Sequence, residues 1–416
     1  MRINELKDVV DWRLCVGCGL CAYLCPDNVK LKDIVNDGIR PEVLANGCGP
    51  SCECLQACPG LHAHHDTQRN DGVDELRAGW GPVLELFEGY AADPELRFRG
   101  SSAGLATALA LYCLEREEMY GVLHIEGDAN EPWRNRTVLS RDRDVLLRRT
   151  GSRYAPASPC DSLHLIENAP RPCIFIGKPC DVTGLRNAMA LRPQLSKKVG
   201  VAIGIFCAGT PSTQGTLDLL QQLEVDSSKV EEIRYRGNGW PGNYSARLQD
   251  EEQPRRQLSY KASWSFLQEY RPFRCHLCPD GTSEFADISC GDPWYREIHE
   301  DEPGLSLVVV RTPKGREIVR RAIESGYVVL QPAESNKLEA AQKNLLAKRS
   351  AIWGRLLAMK IFGIPAPKYV GFSLLKNWMR LPLPEKLRSV LGTTRRIMTR
   401  RYFLKRNDHR IKAANG

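Results

Sequence analysis

The sequence lacks an apolar run long enough to cross a membrane. Its longest strongly apolar stretches, residues 105–114 and 199–208, fall well short of the roughly 20 residues that span a bilayer. Residues 1–12 carry no apolar signal segment with a cleavage site. The sequence also lacks a P-loop, a well-placed GxGxxG fingerprint and a Ser-His-Asp constellation. The lack of a membrane-spanning run and of a signal segment predicts a cytoplasmic protein without a transmembrane segment.

The number and clustering of the cysteines are unusual. The 42% hydrophobic and 26% charged residues are typical of a soluble globular protein, so neither disorder nor a fibrous repeat is favoured. Of the 16 cysteines in 416 residues, eight lie between Cys15 and Cys58. A disulfide framework needs an oxidising compartment and usually a small secreted domain. Metal ligation is therefore the favoured interpretation.

The N-terminal cysteines form two runs. Cys15-x2-Cys18-x2-Cys21-x3-Cys25-Pro26 has the spacing of bacterial ferredoxins, in which one loop places three thiolates on a cubane and the fourth serves the other cluster. The second run is Cys48-x3-Cys52-x-Cys54-x3-Cys58-Pro59, in which Cys52 follows the expected position, Ser51. Ligand exchange predicts one 4Fe-4S cluster on Cys15, Cys18, Cys21 and Cys58, and another on Cys48, Cys52, Cys54 and Cys25. A pair of zinc sites is the alternative, and the proline after each fourth cysteine argues against it.

Beyond the cysteine runs, the pattern predicts three regions. Residues 1–66 form the ferredoxin-type 4Fe-4S domain, and His62 to Gly81 is a polar linker. Residues 82–335 alternate strands and helices, which indicates an α/β domain with a mixed sheet. The predicted strands are 83–90, 121–125, 173–176, 199–206 and 306–310, and the predicted helices are 104–116, 181–189, 213–223 and 315–324. Residues 336–416 form a basic helical C-terminal region, giving an α+β protein overall.

A Ser/Gly-rich loop at residues 100–107 precedes the first of these helices. Such a loop can cradle a phosphate with its backbone NH groups at a helix N-terminus. An ordinary helix cap is the other interpretation.

From this loop onward, the chain resembles the coenzyme F420 hydrogenase/dehydrogenase beta subunit family, which uses a 5-deazaflavin. Seven segments carry the resemblance in the family's order, across about residues 83–311. They are GSSAGLATAL (100–109), TGSRY (150–154), IGKPCD (176–181), GIFCAGTPS (204–212), YRGNGWPG (235–242), CHLCPD (275–280) and FADISCGDPW (285–294).

The resemblance implies FAD bound in the α/β domain, near a third 4Fe-4S cluster. It implies FAD contacts by Ser101, Ser102, Gly104, Thr107, Gly151, Ser152, Arg153 and Tyr154, with Arg153 neutralising the pyrophosphate or the reduced flavin. It implies Cys180, Cys207, Cys275 and Cys278 as the third set of ligands, with Cys290 in reserve. Buried apolar roles are the alternative for these cysteines, and the favoured role for Cys113, Cys160 and Cys173. Trp240 stacks on a ligand or belongs to the core.

The positive charge is concentrated in the C-terminal region. From Lys337 onward there are 19 Lys and Arg and three acidic residues, or +16, whereas the preceding residues carry 39 basic and 47 acidic side chains, or −8. A basic surface suits docking of an acidic partner such as ferredoxin. Peripheral contact with an anionic membrane is the second interpretation, through the interleaved Trp353, Trp378, Ile397, Tyr402 and Phe403. Nucleic-acid binding ranks last because no binding module accompanies the charge.

These features predict an iron-sulfur flavoprotein oxidoreductase that relays electrons between 4Fe-4S clusters and FAD. The resemblance implies a second substrate, a coenzyme F420-like deazaflavin or another small molecule, and a partner such as ferredoxin or the deazaflavin coenzyme. Two alternatives stay open: a non-catalytic electron-transfer subunit of a larger redox complex, and a reductase associated with polysaccharide synthesis. No catalytic residue is assigned, because the cofactor carries the difficult step.

Overall fold

The computed structural model describes residues 3–44, 47, 49, 51–66, 72–254, 256–296 and 302–406. The strands within these residues are β1 Val29–Ile34, β2 Gly38–Val43, β3 His62–His64, β4 Glu85–Ala91, β5 Val122–Gly127, β6 Asn135–Ser140, β7 Cys173–Gly177, β8 Val199–Ile205, β9 Val230–Arg234, β10 Asn243–Leu248, β11 Arg256–Ser259, β12 Ile288–Gly291, β13 Ser306–Val310, β14 Val328–Pro332 and β15 Lys368–Val370.

The α-helices of the same residues are α1 Leu6–Asp11, α2 Leu20–Leu24, α3 Glu53–Gln56, α4 Asp74–Trp80, α5 Pro94–Arg99, α6 Leu105–Glu115, α7 Arg143–Arg148, α8 His164–Glu167, α9 Pro179–Leu191, α10 Pro193–Lys198, α11 Thr213–Gln222, α12 Tyr260–Leu267, α13 Phe273–His276, α14 Pro313–Glu324, α15 Ser335–Ala341, α16 Lys343–Ser350, α17 Ile352–Ile361, α18 Leu374–Met379 and α19 Leu383–Thr399. None of them is long and apolar enough to cross a membrane.

An eight-stranded mixed sheet forms the centre of the protein. Its strand order is β14-β4-β13-β12-β8-β7-β5-β6. Strands β12, β8, β7 and β5 run parallel, and the strands on either side are antiparallel. The central strands β13, β12, β8 and β7 are the most buried, as expected where helices cover both faces of a sheet. Since the carboxyl ends of β7 and β8 meet at one edge, the residues after them lie close together.

The predicted mixed α/β fold is confirmed. Each strand and helix predicted between residues 83 and 324 is present, with ends that differ by a few residues. The pattern missed β6, β12 and β14 of the central sheet, and a second antiparallel sheet of β9, β10 and β11.

The N-terminal segment folds as a β1-β2 hairpin with the short helices α1, α2 and α3. Its loop packs directly on the segment before α8. The backbone NH of Cys160 donates to the carbonyl of Cys18 at 3.0 Å, and Ser158 Oγ donates to the carbonyl of Gly17 at 2.7 Å. Gly19 has φ of +86°, and a Cβ there would lie 2.8 Å from the Asp161 nitrogen. Only glycine fits this close approach.

The stretch from His62 to Gly81, predicted to be a polar linker, contains regular structure among its described residues. His62–His64 is β3, which pairs in parallel with β15, and residues Asp74–Trp80 form α4. His65 of the same stretch is buried, and its Nε2 lies 2.8 Å from Glu284 Oε2. The prediction failed because partners distant in sequence bury these residues, which a local pattern does not reveal.

The C-terminal region is fastened to the rest of the molecule. Arg349 forms a buried ion pair with Glu284, and its Nη2 donates to the carbonyl of Phe372 at 3.0 Å. At the end of the chain, Arg13 Nη1 donates to the carbonyl of Leu404 at 2.9 Å, and Lys405 pairs with Asp8. Part of the basic charge therefore serves internal contacts.

Arg311, at the end of β13, is fully buried and connects several segments. Its Nε donates to Ser289 Oγ at 2.8 Å, and Nη1 donates to the carbonyls of Trp80 and Pro82 at 2.9 and 2.8 Å. Nη2 donates to the carbonyl and hydroxyl oxygens of Thr282 at 3.0 and 2.9 Å. One side chain thus joins two neighbouring strands to α4 and to the loop before β12.

Replacing Arg311 with Met should lower the free energy of unfolding by about 3 to 5 kcal/mol, because five buried oxygen acceptors lose their donor. Chemical denaturation followed by circular dichroism measures this. The control is Arg316→Met, which removes a half-exposed ion pair with Glu85 and should cost less than about 1 kcal/mol. Equal losses in the two variants would contradict the assigned role.

Candidate iron-sulfur and cofactor site

Three of the N-terminal cysteines form a tight group. The ligand atoms of Cys25, Cys52 and Cys54 all lie within 4.8 Å of one another. The Sγ atom of Cys52 is 3.2 Å from that of Cys25 and 3.1 Å from that of Cys54. This grouping joins the last cysteine of the first run to the second run, as the ligand exchange predicts. The fourth predicted ligand, Cys48, lies outside the described residues.

The other four N-terminal cysteines also lie close together. Burial raises the pKa of the Cys21 thiol, and negative charge on the nearby Cys15, Cys18 and Cys58 raises it further. Burial raises the pKa of Cys58 to about 12, with Cys15 and Cys18 adding to the effect. These four are the predicted ligands of the first cluster, and a metal centre would compensate the cost of burying their thiolates.

A third cysteine group lines a cavity at the carboxyl edge of the central sheet. Cys180 begins α9 just after β7, Cys207 follows β8, and Cys275 and Cys278 lie in and after α13. All four line one cavity. Cys180 and Cys207 lie close together because they follow the neighbouring strands β7 and β8. The pair Cys275 and Cys278 lines the same cavity. The residues present thus fit an iron-sulfur cluster in number and type.

The N-terminal segment contributes to the same cavity. Cys15, Gly17 and Gly38 line it beside the third cysteine group. Cys15 therefore adjoins two cysteine groups, whereas none of Cys25, Cys52 and Cys54 lines this cavity. The group that contains Cys15 lies next to the third group.

Four basic side chains, Arg40, Lys178, Arg274 and Lys348, line the cavity. Lys178 Nζ donates to the two carboxylate oxygens of Asp181 at 2.7 and 2.8 Å. Burial lowers the pKa of Lys178, but the Asp181 carboxylate outweighs burial and raises the pKa above its usual value. A 4Fe-4S centre with four thiolates is anionic, and positive charge at this position stabilises it.

Arg274 lies between the two adjacent cysteine groups. It is 4% exposed, its Nε donates to the carbonyl of Leu14 at 3.1 Å, and its Nη2 donates to the carbonyl of Pro59 at 3.2 Å. Its Nη1 has no protein hydrogen-bond partner among the described residues. The sequence analysis missed Arg274, although a basic residue directly before a Cys-x2-Cys pair was a visible signal.

The remaining cysteines are buried outside the cavity. Cys113 and Cys290 belong to one apolar cluster, and Cys160 and Cys173 belong to another. Burial raises the pKa of Cys290 to about 12. Cys160 differs from the rest because its thiol donates to the carbonyl of Asp181 at 3.2 Å and contacts Cys18.

The motifs predicted to contact FAD converge at the start of α6. Ser101 Oγ accepts a hydrogen bond from the backbone NH of Ser152 at 2.7 Å, which joins the first two loops. Ser102, Ala103 and Gly104 have φ values of 50°, 53° and 68°. Three successive left-handed residues are uncommon, and such backbone conformations concentrate at ligand sites.

The segment 235–242, around Gly237, lies against the two loops at residues 100–107 and 150–154. Arg234 Nη1 donates to the carbonyls of Arg99 and Thr150 at 3.2 and 3.5 Å, and the NH of Gly239 donates to the carbonyl of Phe98 at 2.9 Å. A polar cavity of about 260 Å³ opens here, with Arg99, Arg234, Asn238 and Arg247 among its lining residues.

The structure places the other predicted FAD residues as follows. The guanidinium of Arg153 donates to the carbonyls of Ile233 and Arg134 at 3.0 and 3.2 Å, and to Asn135. Its role toward a phosphate therefore stays a prediction that these contacts do not support. Thr107 and Gly151 are half-buried on α6 and the second loop. Tyr154 packs on Trp264, with ring centroids 5.0 Å apart.

Trp240 belongs to the core. It is 6% exposed, its Nε1 donates to Asp292 Oδ1 at 2.8 Å, and its ring stacks on Trp294. Arg236 pairs with the same carboxylate at 2.7 and 2.8 Å. These contacts hold the segment 235–242 in place and leave the indole of Trp240 unavailable for stacking on a ligand.

Comparison with known families agrees with this architecture. Residues 86–164 match the family model described as coenzyme F420 hydrogenase/dehydrogenase, beta subunit N-term, and residues 171–336 match the C terminus of the same subunit. The two matches together cover more than half of the chain. Residues 8–30 match the 4Fe-4S binding domain.

Individual relatives are distant. A coenzyme F420-dependent sulfite reductase from Methanocaldococcus jannaschii is 24% identical over 77% of this chain, and the chain spans only 47% of that relative. A coenzyme F420 hydrogenase subunit beta from Methanothermobacter thermautotrophicus is 23% identical over 69% of this chain and 99% of the subunit.

A solved structure shares the fold. It is a chain of the F420-reducing [NiFe] hydrogenase complex from Methanosarcina barkeri, with a TM-score of 0.54 and 22% identity over 70% of this chain and 97% of that chain. The chain thus belongs to the coenzyme F420 hydrogenase/dehydrogenase beta subunit family and carries a 4Fe-4S binding domain at its N-terminal end.

Proposed function

We propose that this protein is an iron-sulfur flavoprotein oxidoreductase with three 4Fe-4S clusters and one FAD. One observation carries the proposal: Cys15 lines the same cavity as Cys180, Cys207, Cys275 and Cys278. A carrier of the ferredoxin type needs no third ligand group, whereas a reductase needs a connection from its clusters to the site of chemistry.

The cysteine groups support an order. Cys25, Cys52 and Cys54 lie outside the cavity, and Cys25 and Cys52 are half-buried. The group with Cys15 lies next to the third group, so it is the middle member of the series. Electrons would thus pass between the group with Cys25 and the third group through the middle group, in a direction set by the partners' potentials.

The flavin site is supported by the converging loops and by their continuity with the cavity. Ser101 and Ser152 join the first two loops, and Pro156 and Ala157, a few residues further along, line the cavity of the third cysteine group. Arg99 and Arg234 supply positive charge for a diphosphate. When bound, FAD supplies the exchange between one-electron and two-electron chemistry.

The second substrate is proposed to be a deazaflavin of the coenzyme F420 type or another small molecule that donates or accepts a hydride. The relatives' names support this class. A second candidate function is that of an electron-transfer subunit in a larger redox complex, which the hydrogenase beta subunits among the relatives favour.

The first test is the cofactor content of protein purified without oxygen. We expect about 12 iron per chain, as for three cubanes, and one FAD. Adding a reduced deazaflavin or reduced ferredoxin and following the flavin absorbance then identifies the donor. About eight iron and no flavin would contradict the reductase and leave an electron carrier.

Replacing Cys278 with Ala should lower the iron content by about four per chain, because one cubane loses a ligand. FAD should remain bound, and reduced ferredoxin should no longer bleach it. The matched control is Cys290→Ala, a buried cysteine outside the cavity, which should retain all the iron. Equal iron in the two variants would refute the third ligand group.

Replacing Cys21 with Ala tests the proposed order. The variant should lose about four iron per chain and keep the third cluster and FAD. The deazaflavin should still exchange electrons with the flavin, while transfer to or from ferredoxin stops. Unimpaired transfer to ferredoxin would show that the middle group is bypassed.

A further inference from the structure

Several large apolar side chains of α19 face solvent instead of the neighbouring helices on which α19 packs. Leu383, Leu387 and Leu391 recur every four residues, and Met398 follows two turns after Leu391, which places all four on one face. Their exposed fractions are 67%, 50%, 60% and 58%. We call these four residues the apolar stripe.

The inward face of α19 is mostly small and polar. Ser389, Thr393 and Ile397 are buried, and Ser389 Oγ accepts a hydrogen bond from Trp378 Nε1 at 3.0 Å. Ser389 also fills the space where Gly354 of α17 lacks a Cβ. The helices approach closely through small residues, and the outward leucines remain largely exposed.

Exposed apolar residues are concentrated in this part of the molecule. Of the 13 large apolar side chains that are exposed among the described residues, nine belong to residues 361–403. Such a concentration marks an interaction surface rather than the scattered exposure of an ordinary protein surface.

The charge beside the apolar stripe is almost entirely positive. Described residues 374–406 contain ten Lys and Arg and one acidic residue, Glu385. Arg388 and Arg395 lie on the solvent side of α19, and Arg388 pairs only with Glu385 at the surface. Two of the ten, Lys405 and Arg406, pair with Asp8 and Asp37, and the other eight share this stretch with the single carboxylate of Glu385.

We propose that α19 is an interfacial helix that binds the surface of an anionic membrane. A line of exposed leucines flanked by Arg and Lys is the pattern that inserts apolar side chains among acyl chains while the cations contact lipid phosphates. Three of the four residues of the apolar stripe are leucines, whereas protein interfaces favour aromatic anchors. Lipid phosphates match the charge. The inference is independent of the proposed redox function.

The structure changes which residues carry this contact. Of the aromatic and apolar residues named for it from the sequence, Ile397 is fully buried, and Tyr402 packs on Phe273 with ring centroids 4.6 Å apart. Trp353 and Trp378 pack on each other. The leucines of α19 take the role instead.

The test is sedimentation of the full chain with vesicles. We expect binding to vesicles of phosphatidylcholine and phosphatidylglycerol that weakens as salt is added, and little binding to phosphatidylcholine alone. The double variant Leu387→Glu, Leu391→Glu should bind at least about tenfold more weakly. The control, Ile323→Glu, adds a charge at an exposed apolar position on α14 and should bind like the parent.

Iron content and circular dichroism should match the parent in both variants, because the replaced side chains are exposed. No binding to anionic vesicles, or undiminished binding by the double variant, would overturn the proposal. A dimer of the parent chain that the double variant abolishes, without vesicle binding, would assign the apolar stripe to a second copy. Binding of reduced ferredoxin that depends on the same leucines, again without vesicle binding, would assign it to an acidic protein.

Discussion

The burial of one cation, the guanidinium of Arg274, holds the N-terminal cysteine segment against the central sheet. It donates to the carbonyls of Leu14 and Pro59, one beside each cysteine run, and its own backbone leads directly into Cys275. Both runs are thus tied to the third cysteine group through one side chain. Under the proposed function, this contact would fix the distance between neighbouring clusters, and the cation would stabilise their anionic forms.

The C-terminal region has two faces with different roles. Its inner contacts, the ion pair of Arg349 with Glu284 and the pairing of β15 with β3, fasten the segment after the cysteine runs. Its outer face keeps the positive charge and the exposed leucines. The net charge of the sequence does not show which cations face inward and which face solvent. Arg349 and Arg388 cannot be distinguished in the sequence, but Arg349 is buried and Arg388 is exposed.

Much of the fold could be predicted because its signals are local. The buried strand Ser306–Val310 is a short continuous apolar run, and the cysteine spacing specifies the ferredoxin-type segment. Strand β12 was missed because Ile288–Gly291 has only one large aliphatic residue and is buried through its neighbours on both sides. The candidate site was likewise predictable only where its signals are local. The sequence motifs indicate the cysteines, but Arg274 and the position of Cys15 depend on contacts across more than 200 residues.

The contacts between the two ends of the chain also bear on how the protein is made. Arg13 and Leu404 are 391 residues apart in sequence, and their hydrogen bond helps to hold α1 in place. A ribosome releases the cysteine runs long before it releases the residues that cover them. The first two cysteine groups are therefore synthesised in full before the third, which gathers its ligands only after Cys278 has emerged. The order in which the three groups become complete during synthesis thus follows from the positions of their cysteines in the chain.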